Sequence, residues 1–251
     1  MPEELLITRT KLIVPQRRRE LLTRPRLLDL LSDLLDYRLI IIAAPAGYGK
    51  TSLLIDFASR FDWPVCWYAL DPLDNDLQRF LSHFIHALKI KFPDFGEETL
   101  KNLRSTPADQ LNLNFLISVL TNEIFEIITE YFVIVLDDYH LINANQGIDK
   151  FLSEFIQRAD DNCHVAITSR RLLTLPDLPL MVARLQVGGL SIEELAFIPE
   201  EIHRLAMKIH AKMDNKAAVS QQFELCASIL EEEISAKPSE QTCFLYKTLM
   251  E

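Results

Sequence analysis

The chain has 251 residues, of which 49% are hydrophobic and 25% are charged, so it has enough apolar material to bury a full core. Its formal net charge is −10, and its overall field should therefore repel nucleic acid. The four cysteines form no C-x-x-C pair, which argues against a zinc site or a disulfide framework, and the apolar runs are too short to span a bilayer.

Short apolar and β-branched runs alternate with helical patterns, as is typical of βαβ units and of a mostly parallel sheet covered on both faces. The spacing of apolar residues predicts one amphipathic helix through Phe80 and Leu88, and another through Phe115 and Ile124. The sequence thus predicts an α/β fold with a five-stranded, mostly parallel sheet. The predicted strands are Leu39–Ala43, Val65–Ala69, Phe132–Leu136, His164–Thr168 and Arg184–Val187.

Strand patterns stop after Gly188-Gly189, and we place a domain boundary near Pro199, giving domains at 1–198 and 199–251. In the second domain Asp214-Asn215 can adopt the left-handed conformation that closes a helical hairpin. Pro238-Ser239 ends the second helix and provides the N-cap of a third. Two apolar stripes predict the hairpin: Ile202, Leu205, Ile209 and Met213, then Val219, Phe223, Cys226 and Leu230.

The segment from Ala44 to Thr51 reads A-P-A-G-Y-G-K-T and lies between a strand pattern and a helical pattern, the setting of a Walker A phosphate loop. Its glycines let backbone N–H groups turn toward phosphate oxygens, while Lys50 reaches the β- and γ-phosphates and the Thr51 hydroxyl can ligate Mg²⁺. The alternative is a glycine-rich turn that only joins a strand to a helix. The predicted nucleotide-binding residues are Ala46, Gly47, Tyr48, Gly49, Lys50, Thr51 and Ser52.

A second motif, from Tyr131 to Asp138, reads Y-F-V-I-V-L-D-D. An apolar strand that ends in acid is typical of a Walker B motif, which holds Mg²⁺ beside a nucleotide. We therefore predict Asp137, with Thr51, as the magnesium ligands and Asp138 as the catalytic residue that orients or activates water. An acidic turn after a strand, without a functional role, is the alternative.

A cation follows the fourth predicted strand, in the run Ser169-Arg170-Arg171. A cation at such a strand end can contact the γ-phosphate and report whether it is present, so we predict Arg170 as the second catalytic residue. A solvated arginine pair is the alternative. His83 and His86 lie on one predicted helix and indicate an exposed face. A further basic cluster either approaches the nucleotide or is solvated: Arg17, Arg18, Arg19, Arg24 and Arg26.

Together these motifs resemble the ATPase module of STAND regulators, the signal-transduction ATPases typified by the maltose-regulon activator and its large LuxR-type relatives. The resemblance covers residues 8 to about 198 and implies an ASCE-type, AAA-like P-loop fold. It also implies that bound ATP or ADP sets an on or off state, which hydrolysis resets. Ala44 stands where the generic Walker A motif, G-x-x-x-x-G-K-S/T, has its first glycine, and an alanine at this position is usual in the family. The resemblance rests on Ala43–Thr51, Trp67–Asp71, Asp74–Asp76, Leu136–His140 and Thr168–Arg170.

Residues 201–251 resemble the last, TPR-like portion of the bacterial transcriptional activator domain of antibiotic-regulator proteins. Met207–His210, Phe223–Cys226 and Pro238–Thr242 carry this second resemblance. Ser235 stands where that family generally has glycine, which predicts a strained or reshaped turn. Neither a winged helix nor a helix-turn-helix pattern is recognisable, so we expect no sequence-specific DNA binding by this chain alone.

The two resemblances imply an ATP/ADP-binding regulatory switch, with Mg²⁺ and slow ATP hydrolysis, in a transcription-linked signalling protein. The cysteine pattern favours a reducing cytoplasm. The implied partners are the nucleotide, a protein bound through the C-terminal helices, and further copies of the chain assembled on ATP binding. No membrane contact and no DNA-binding domain are expected. The alternative is a protein-interaction scaffold, or a truncated relic of a larger activator, in which nucleotide is structural or absent.

Overall fold

The computed structural model describes residues 6–18, 20–107, 110–142 and 145–251. The chain divides into two compact units, one ending at Leu195 and the other beginning at Ala196. The first unit contains the sheet, and the second is helical. Among the described residues, no helix combines the length and the apolar character needed to cross a membrane.

The first unit is built on a five-stranded sheet in which every strand pair is parallel, with the strand order β2-β3-β4-β1-β5. This confirms the predicted α/β fold. Every residue of β3 and β4 is buried, as expected for central strands covered on both faces. The strands are β1 (Leu39–Ala43), β2 (Val65–Ala69), β3 (Phe132–Asp137), β4 (Cys163–Ser169) and β5 (Val187–Leu190).

Helices connect these strands and cover the sheet. Helix α3 contains the predicted stripe through Phe80 and Leu88, both buried, which confirms that helix. In chain order the helices are α1 (Pro25–Asp33), α2 (Lys50–Ala58), α3 (Leu77–Lys91), α4 (Glu97–Ser105), α5 (Leu113–Ile127), α6 (Gln146–Arg158), α7 (Leu178–Ala183) and α8 (Ile192–Leu195), with 3₁₀ turns at Arg9–Leu12, Leu34–Asp36, Pro72–Asn75 and Tyr139–Ile142.

Two hydrophobic cores hold these helices on the sheet. In the larger core, Phe84 of α3 packs edge-on against Phe151 and Phe155 of α6, with ring centroids 5.3 and 5.2 Å apart. In the smaller core, Phe57 of α2 is buried together with Trp67 of β2. Because both faces are covered, the loops at the carboxyl ends of the strands form the edge where a ligand can enter.

The fifth strand lies later in the chain than predicted. The sequence prediction was Arg184–Val187, whereas β5 spans Val187–Leu190 and pairs with β1. A Cβ added at Gly189 would lie 2.5 Å from the carbonyl oxygen of Ile41, and one added at Gly188 would lie 2.6 Å from the side chain of Leu34. The two glycines therefore let β5 lie close to Ile41 and Leu34, and they do not end the strand.

We expect Gly189→Ala to destabilise the first unit, since the nearest atom to the new Cβ is backbone and cannot move aside cheaply. Overpacking of this kind typically costs about 1–3 kcal/mol, and for a protein of this size each kcal/mol lowers Tm by about 2–4 °C. Gly147→Ala is the matched control, because its Cβ would meet only the ends of the Asn145 and Leu77 side chains, each at 3.2 Å. Thermal unfolding that gives the two variants equal Tm values would contradict this account.

His83 is fully buried, so the prediction that it lies on an exposed face is wrong. Its Nε2 accepts a hydrogen bond from the backbone N–H of Thr8 at 3.2 Å, and its Nδ1 lies 2.9 Å from the carbonyl oxygen of Arg79. Its ring stacks on that of Tyr68. Burial lowers the pKa of His83, which favours the neutral ring that these contacts require. The sequence pattern of the helix could not show this burial, because the segment that covers His83, around Thr8, is 75 residues away in sequence.

The second unit consists of α9 (Pro199–Lys212), α10 (Lys216–Ile234) and α11 (Glu240–Met250). The predicted hairpin turn is confirmed: Asp214 has φ 55°, and the Asn215 side chain accepts from the N–H of Ala218 at 3.0 Å to cap α10. Ser239 is the N-cap of α11, as predicted. Ser235, with φ 51°, ends α10 in the left-handed conformation that usually favours glycine.

Of the two apolar stripes predicted in this unit, the one on α10 is largely buried and the one on α9 is exposed. On α10, Val219, Cys226 and Leu230 are buried. On α9 the predicted apolar face is exposed, whereas Met207 and Arg204 are buried instead. Periodicity identified the helix correctly but could not show which face would be covered. The exposed apolar residues of α9 are Ile202, Leu205, Ile209 and Met213.

Candidate functional site

The loop between β1 and α2 has the backbone geometry of an anion cradle. Gly47 and Gly49 have φ of 89° and 79°, a left-handed conformation that residues with a Cβ rarely adopt. An added Cβ would meet nothing within 4 Å at either position, so conformation rather than crowding requires glycine. Helix α2 begins directly afterwards at Lys50. Its first N–H groups have no partner within the helix and can bind phosphate oxygens.

Lys50 is almost completely buried, and its ammonium lies against the backbone of this loop. Its Nζ donates to the carbonyl oxygens of Ala44 at 2.7 Å and Pro45 at 3.0 Å. Burial lowers the pKa of Lys50; the nearby Asp138 opposes that effect, and Arg170 adds to it. The three side chains predicted from separate motifs are therefore close enough to act on one another electrostatically.

Asp137 connects the two motifs through hydrogen bonds. It is 5% exposed at the end of β3, and its Oδ1 accepts from the Thr51 hydroxyl at 3.0 Å and from the Thr168 hydroxyl at 2.6 Å. Burial raises the pKa of Asp137, whereas the bond from Thr168 acts in the opposite direction. Thr168, on β4, is a site residue that the motif search did not assign, although its position before Arg170 was a usable signal.

Asp138 follows in an unusual backbone conformation. Its φ is 61°, and its N–H donates to the Thr168 hydroxyl at 2.8 Å. Left-handed non-glycine residues are costly and tend to persist where the surrounding structure enforces them, frequently at functional sites. Its side chain is 38% exposed, so its carboxylate can contact solvent.

Two further cationic or polar groups lie beside these acids. Arg170 is exposed just after β4. Burial lowers the pKa of both Lys50 and His140, and the charge of Arg170 adds to that effect. His140 lies in the 3₁₀ turn after β3, with Nδ1 3.7 Å from Asp138 Oδ1. Among the described residues, neither buried ring nitrogen of His140 has a hydrogen-bond partner. Sequence reasoning did not assign His140 to the site, although its position two residues after Asp138 was a signal.

The oxygen donors at this site fit Mg²⁺. The Thr51 hydroxyl and the Asp137 carboxylate are hard ligands on neighbouring elements, and Mg²⁺ in nucleotide sites usually takes one or two such protein oxygens together with phosphates and water. The described residues contain no group of three or more histidine, cysteine or acidic side chains that could enclose a metal. Thr51 and Asp137 supply the type and number of protein oxygens that such an ion takes.

The N-terminal arginine cluster is used within the fold. Arg17 donates to Asp56 of α2 at 2.6 Å, and Arg24 is buried, donating to the carbonyl oxygen of Leu195 at 2.8 Å. Burial alone would raise the pKa of Asp56, but the hydrogen bonds from Arg17 and Arg60 outweigh it and lower the pKa. Arg19 lies outside the described residues. Arg17 and Arg24 thus make structural contacts.

This protein has a P-loop NTPase fold. Three features define it: the strand order, the glycine loop before α2 and the buried acid at the end of β3. The family model described as Nephrocystin 3, N-terminal, matches residues 17–170, and the chain belongs to this family. A Walker-type ATPase of Pyrococcus abyssi has the same fold, with a TM-score of 0.50 at 14% identity over 94% of this chain and 75% of that one.

Among curated proteins, the chain is similar to the HTH-type transcriptional regulators MalT of Vibrio parahaemolyticus and Vibrio cholerae. It is 37% identical to the first over 203 residues and 33% identical to the second over 203 residues. Each alignment covers 78% of this chain and 21% of the relative, so the chain spans about a fifth of the length of these regulators. These matches confirm the resemblance to the maltose-regulon activators.

Proposed function

We propose that this chain is the nucleotide-binding module of a transcription-linked regulator, and that it binds ATP and ADP with Mg²⁺ as a two-state switch. The observation that carries this proposal is the hydrogen-bonded chain from Thr51 through Asp137 and Thr168 to the backbone of Asp138. It joins the phosphate loop, the acidic strand end and β4. A change at the phosphates can therefore reach three elements through direct bonds.

Each side chain has a defined role in this proposal. Lys50 and the loop N–H groups hold the phosphates, while Thr51 and Asp137 hold Mg²⁺, which neutralises phosphate charge when bound. Asp138 orients or activates water for a slow hydrolysis that resets the switch. Arg170 contacts the γ-phosphate, and the one N–H of the neutral His140 ring donates to the same phosphate, which gives a buried ring nitrogen a hydrogen bond that it lacks.

The link to transcription rests on the MalT relatives, which are transcriptional regulators and of which this chain spans about a fifth. We propose that the chain reaches transcription through protein partners, because its net charge of −10 opposes DNA binding. The exposed stripe on α9 supports a protein contact through the C-terminal helices. Assembly of several copies on ATP binding is part of the same proposal.

The γ-phosphate role predicts a nucleotide-specific effect of Arg170→Ala. We expect ATP affinity to fall about tenfold while ADP affinity changes little, since a charge-assisted contact to phosphate contributes about 1.5–3 kcal/mol and ADP lacks the γ-phosphate. Arg184→Ala is the control, because Arg184 is also exposed and lies in the same unit. Calorimetric titration with each nucleotide and Mg²⁺ measures the difference.

His140→Asn belongs in the same titration and should also weaken ATP more than ADP. An equal loss for both nucleotides in the Arg170 variant would remove Arg170 from the γ-phosphate. An effect of the Arg184 variant as large as that of the Arg170 variant would show a general charge effect instead.

A further inference from the structure

A charged cavity lies away from the nucleotide site, between α3 and α4. Its volume is about 630 Å³, within the range of small-molecule sites. The end of α3 lies at the amino-terminal edge of the sheet, because Phe92, which follows α3, packs edge-on against Phe132 at the start of β3. The phosphate loop and Asp137 follow the carboxyl ends of their strands, so the two sites are at opposite edges of the sheet.

The lining of this cavity is strongly basic for a chain with a net charge of −10. Lys89, Lys101 and Arg104 line it together with a single carboxylate, that of Glu97. Three positive charges and one negative charge leave a formal excess of +2. The sign of this excess is opposite to that of the chain as a whole.

Two of these cations are available to a ligand. Lys89 is partly engaged, since its Nζ donates to the carbonyl oxygen of Phe95 at 3.2 Å and lies 3.9 Å from the Glu97 carboxylate. Within the part of the chain that the structure describes, Lys101 and Arg104 make no hydrogen bond or ion pair through their side chains. Both project from the same face of α4, three residues apart.

His86 adds a fixed polar group. Its Nδ1 lies 2.6 Å from the carbonyl oxygen of Ser82, which orients the ring and leaves Nε2 as the other polar atom. Burial lowers the pKa of His86, and Arg104, Lys89 and Arg9 lower it further. The cationic groups are therefore close enough to raise the local potential at the ring.

The helix dipole gives only part of the explanation for this basic lining. Cations are favoured in the last turn of a helix, which accounts for Lys89 on α3 and Arg104 on α4. It does not account for Lys101 in the middle of α4 or for the convergence of the two helices on one cavity. A bound anion accounts for all of these features.

We propose that this cavity, here called the α3–α4 basic cleft, binds the phosphate group of a small phosphate monoester. A dianion matches the formal excess of +2, and a tetrahedral phosphate can accept hydrogen bonds from separate donors on two helices. The cavity is larger than phosphate alone, which leaves room for the organic part of the ester. The cleft lies at the other edge of the sheet from the nucleotide site and does not depend on the proposed function.

The test is calorimetric titration of the full chain with glucose 6-phosphate, glucose and inorganic phosphate. We expect the two phosphate compounds to bind and glucose not to bind. The double variant Lys101→Gln/Arg104→Gln should weaken that binding at least tenfold, and both residues are exposed, so the variant should fold. Lys91→Gln, an exposed lysine at the end of α3 outside the cleft, is the matched control and should bind like the wild type.

Lys50→Ala separates the two sites. Binding of glucose 6-phosphate that survives Lys50→Ala and is lost in the double variant supports the cleft, whatever the outcome for ATP. The proposal is overturned if the wild type binds neither phosphate compound at millimolar concentration, or if binding is unchanged in the double variant. It is also overturned if Lys91→Gln weakens binding equally, or if the cleft residues bind duplex DNA more tightly than the phosphate ester.

Discussion

Lys50→Ala is expected to lower the affinity for both ATP and ADP by tenfold or more. The Lys50 ammonium is buried in the phosphate loop, and a charge-assisted contact to phosphate contributes about 1.5–3 kcal/mol. The change also removes the bonds to Ala44 and Pro45, so thermal unfolding should accompany calorimetric titration to show that the variant is folded. Lys150→Ala, at an exposed lysine of α6 that pairs with Glu154 one turn away, is the matched control.

Unchanged nucleotide affinity in a folded Lys50 variant would contradict the site assignment. It would favour the scaffold alternative, in which nucleotide is structural or absent. Turnover of ATP that depends on Lys50 distinguishes the switch from the scaffold directly, because a scaffold has no need for the ammonium at the phosphate loop.

Changing each of the two neighbouring acids, Asp137 and Asp138, to asparagine should have a different effect on nucleotide binding and hydrolysis. Asp137→Asn keeps the shape of a buried side chain but removes the charge that would hold Mg²⁺, so we expect nucleotide binding to lose its magnesium dependence. Asp138→Asn should leave ATP bound but stop hydrolysis, because the water-activating carboxylate is lost. Asparagine tolerates the left-handed conformation at position 138, so that variant should keep its fold.

Equilibrium binding of ATP with and without Mg²⁺, together with release of inorganic phosphate, measures both effects. Thr174→Ala, a change beyond the end of β4 and outside the hydrogen-bonded chain, serves as a neutral reference. If both aspartate variants release phosphate like the wild type, the acidic strand end has been misassigned. If Asp137→Asn keeps its magnesium dependence, the metal is held elsewhere.

Features of this protein that depend on short stretches of chain could be predicted from the amino-acid sequence. The phosphate loop needs glycines at two left-handed positions followed by a helix start, and all of these lie between Ala44 and Thr51. The buried strands are recognisable because parallel strands covered on both faces require continuous apolar residues. The hairpin turn at Asp214 is likewise a local backbone property. Specific motifs in a fixed order then identified the family.

Features that depend on which distant residues meet could be seen only in the folded chain. Gly188 and Gly189 belong to a strand because Ile41 and Leu34 lie close beside them, and His83 is buried where the N-terminal segment around Thr8 contacts it. On α9 the apolar period fixed the helix but not which of its faces is covered. The bonds that converge on Asp137 arise from side chains far apart in sequence, and the basic cleft exists only because α3 and α4 pack beside each other. Local patterns carry conformational preference, whereas burial, ion pairing and pKa are set by neighbours that the chain brings together only on folding.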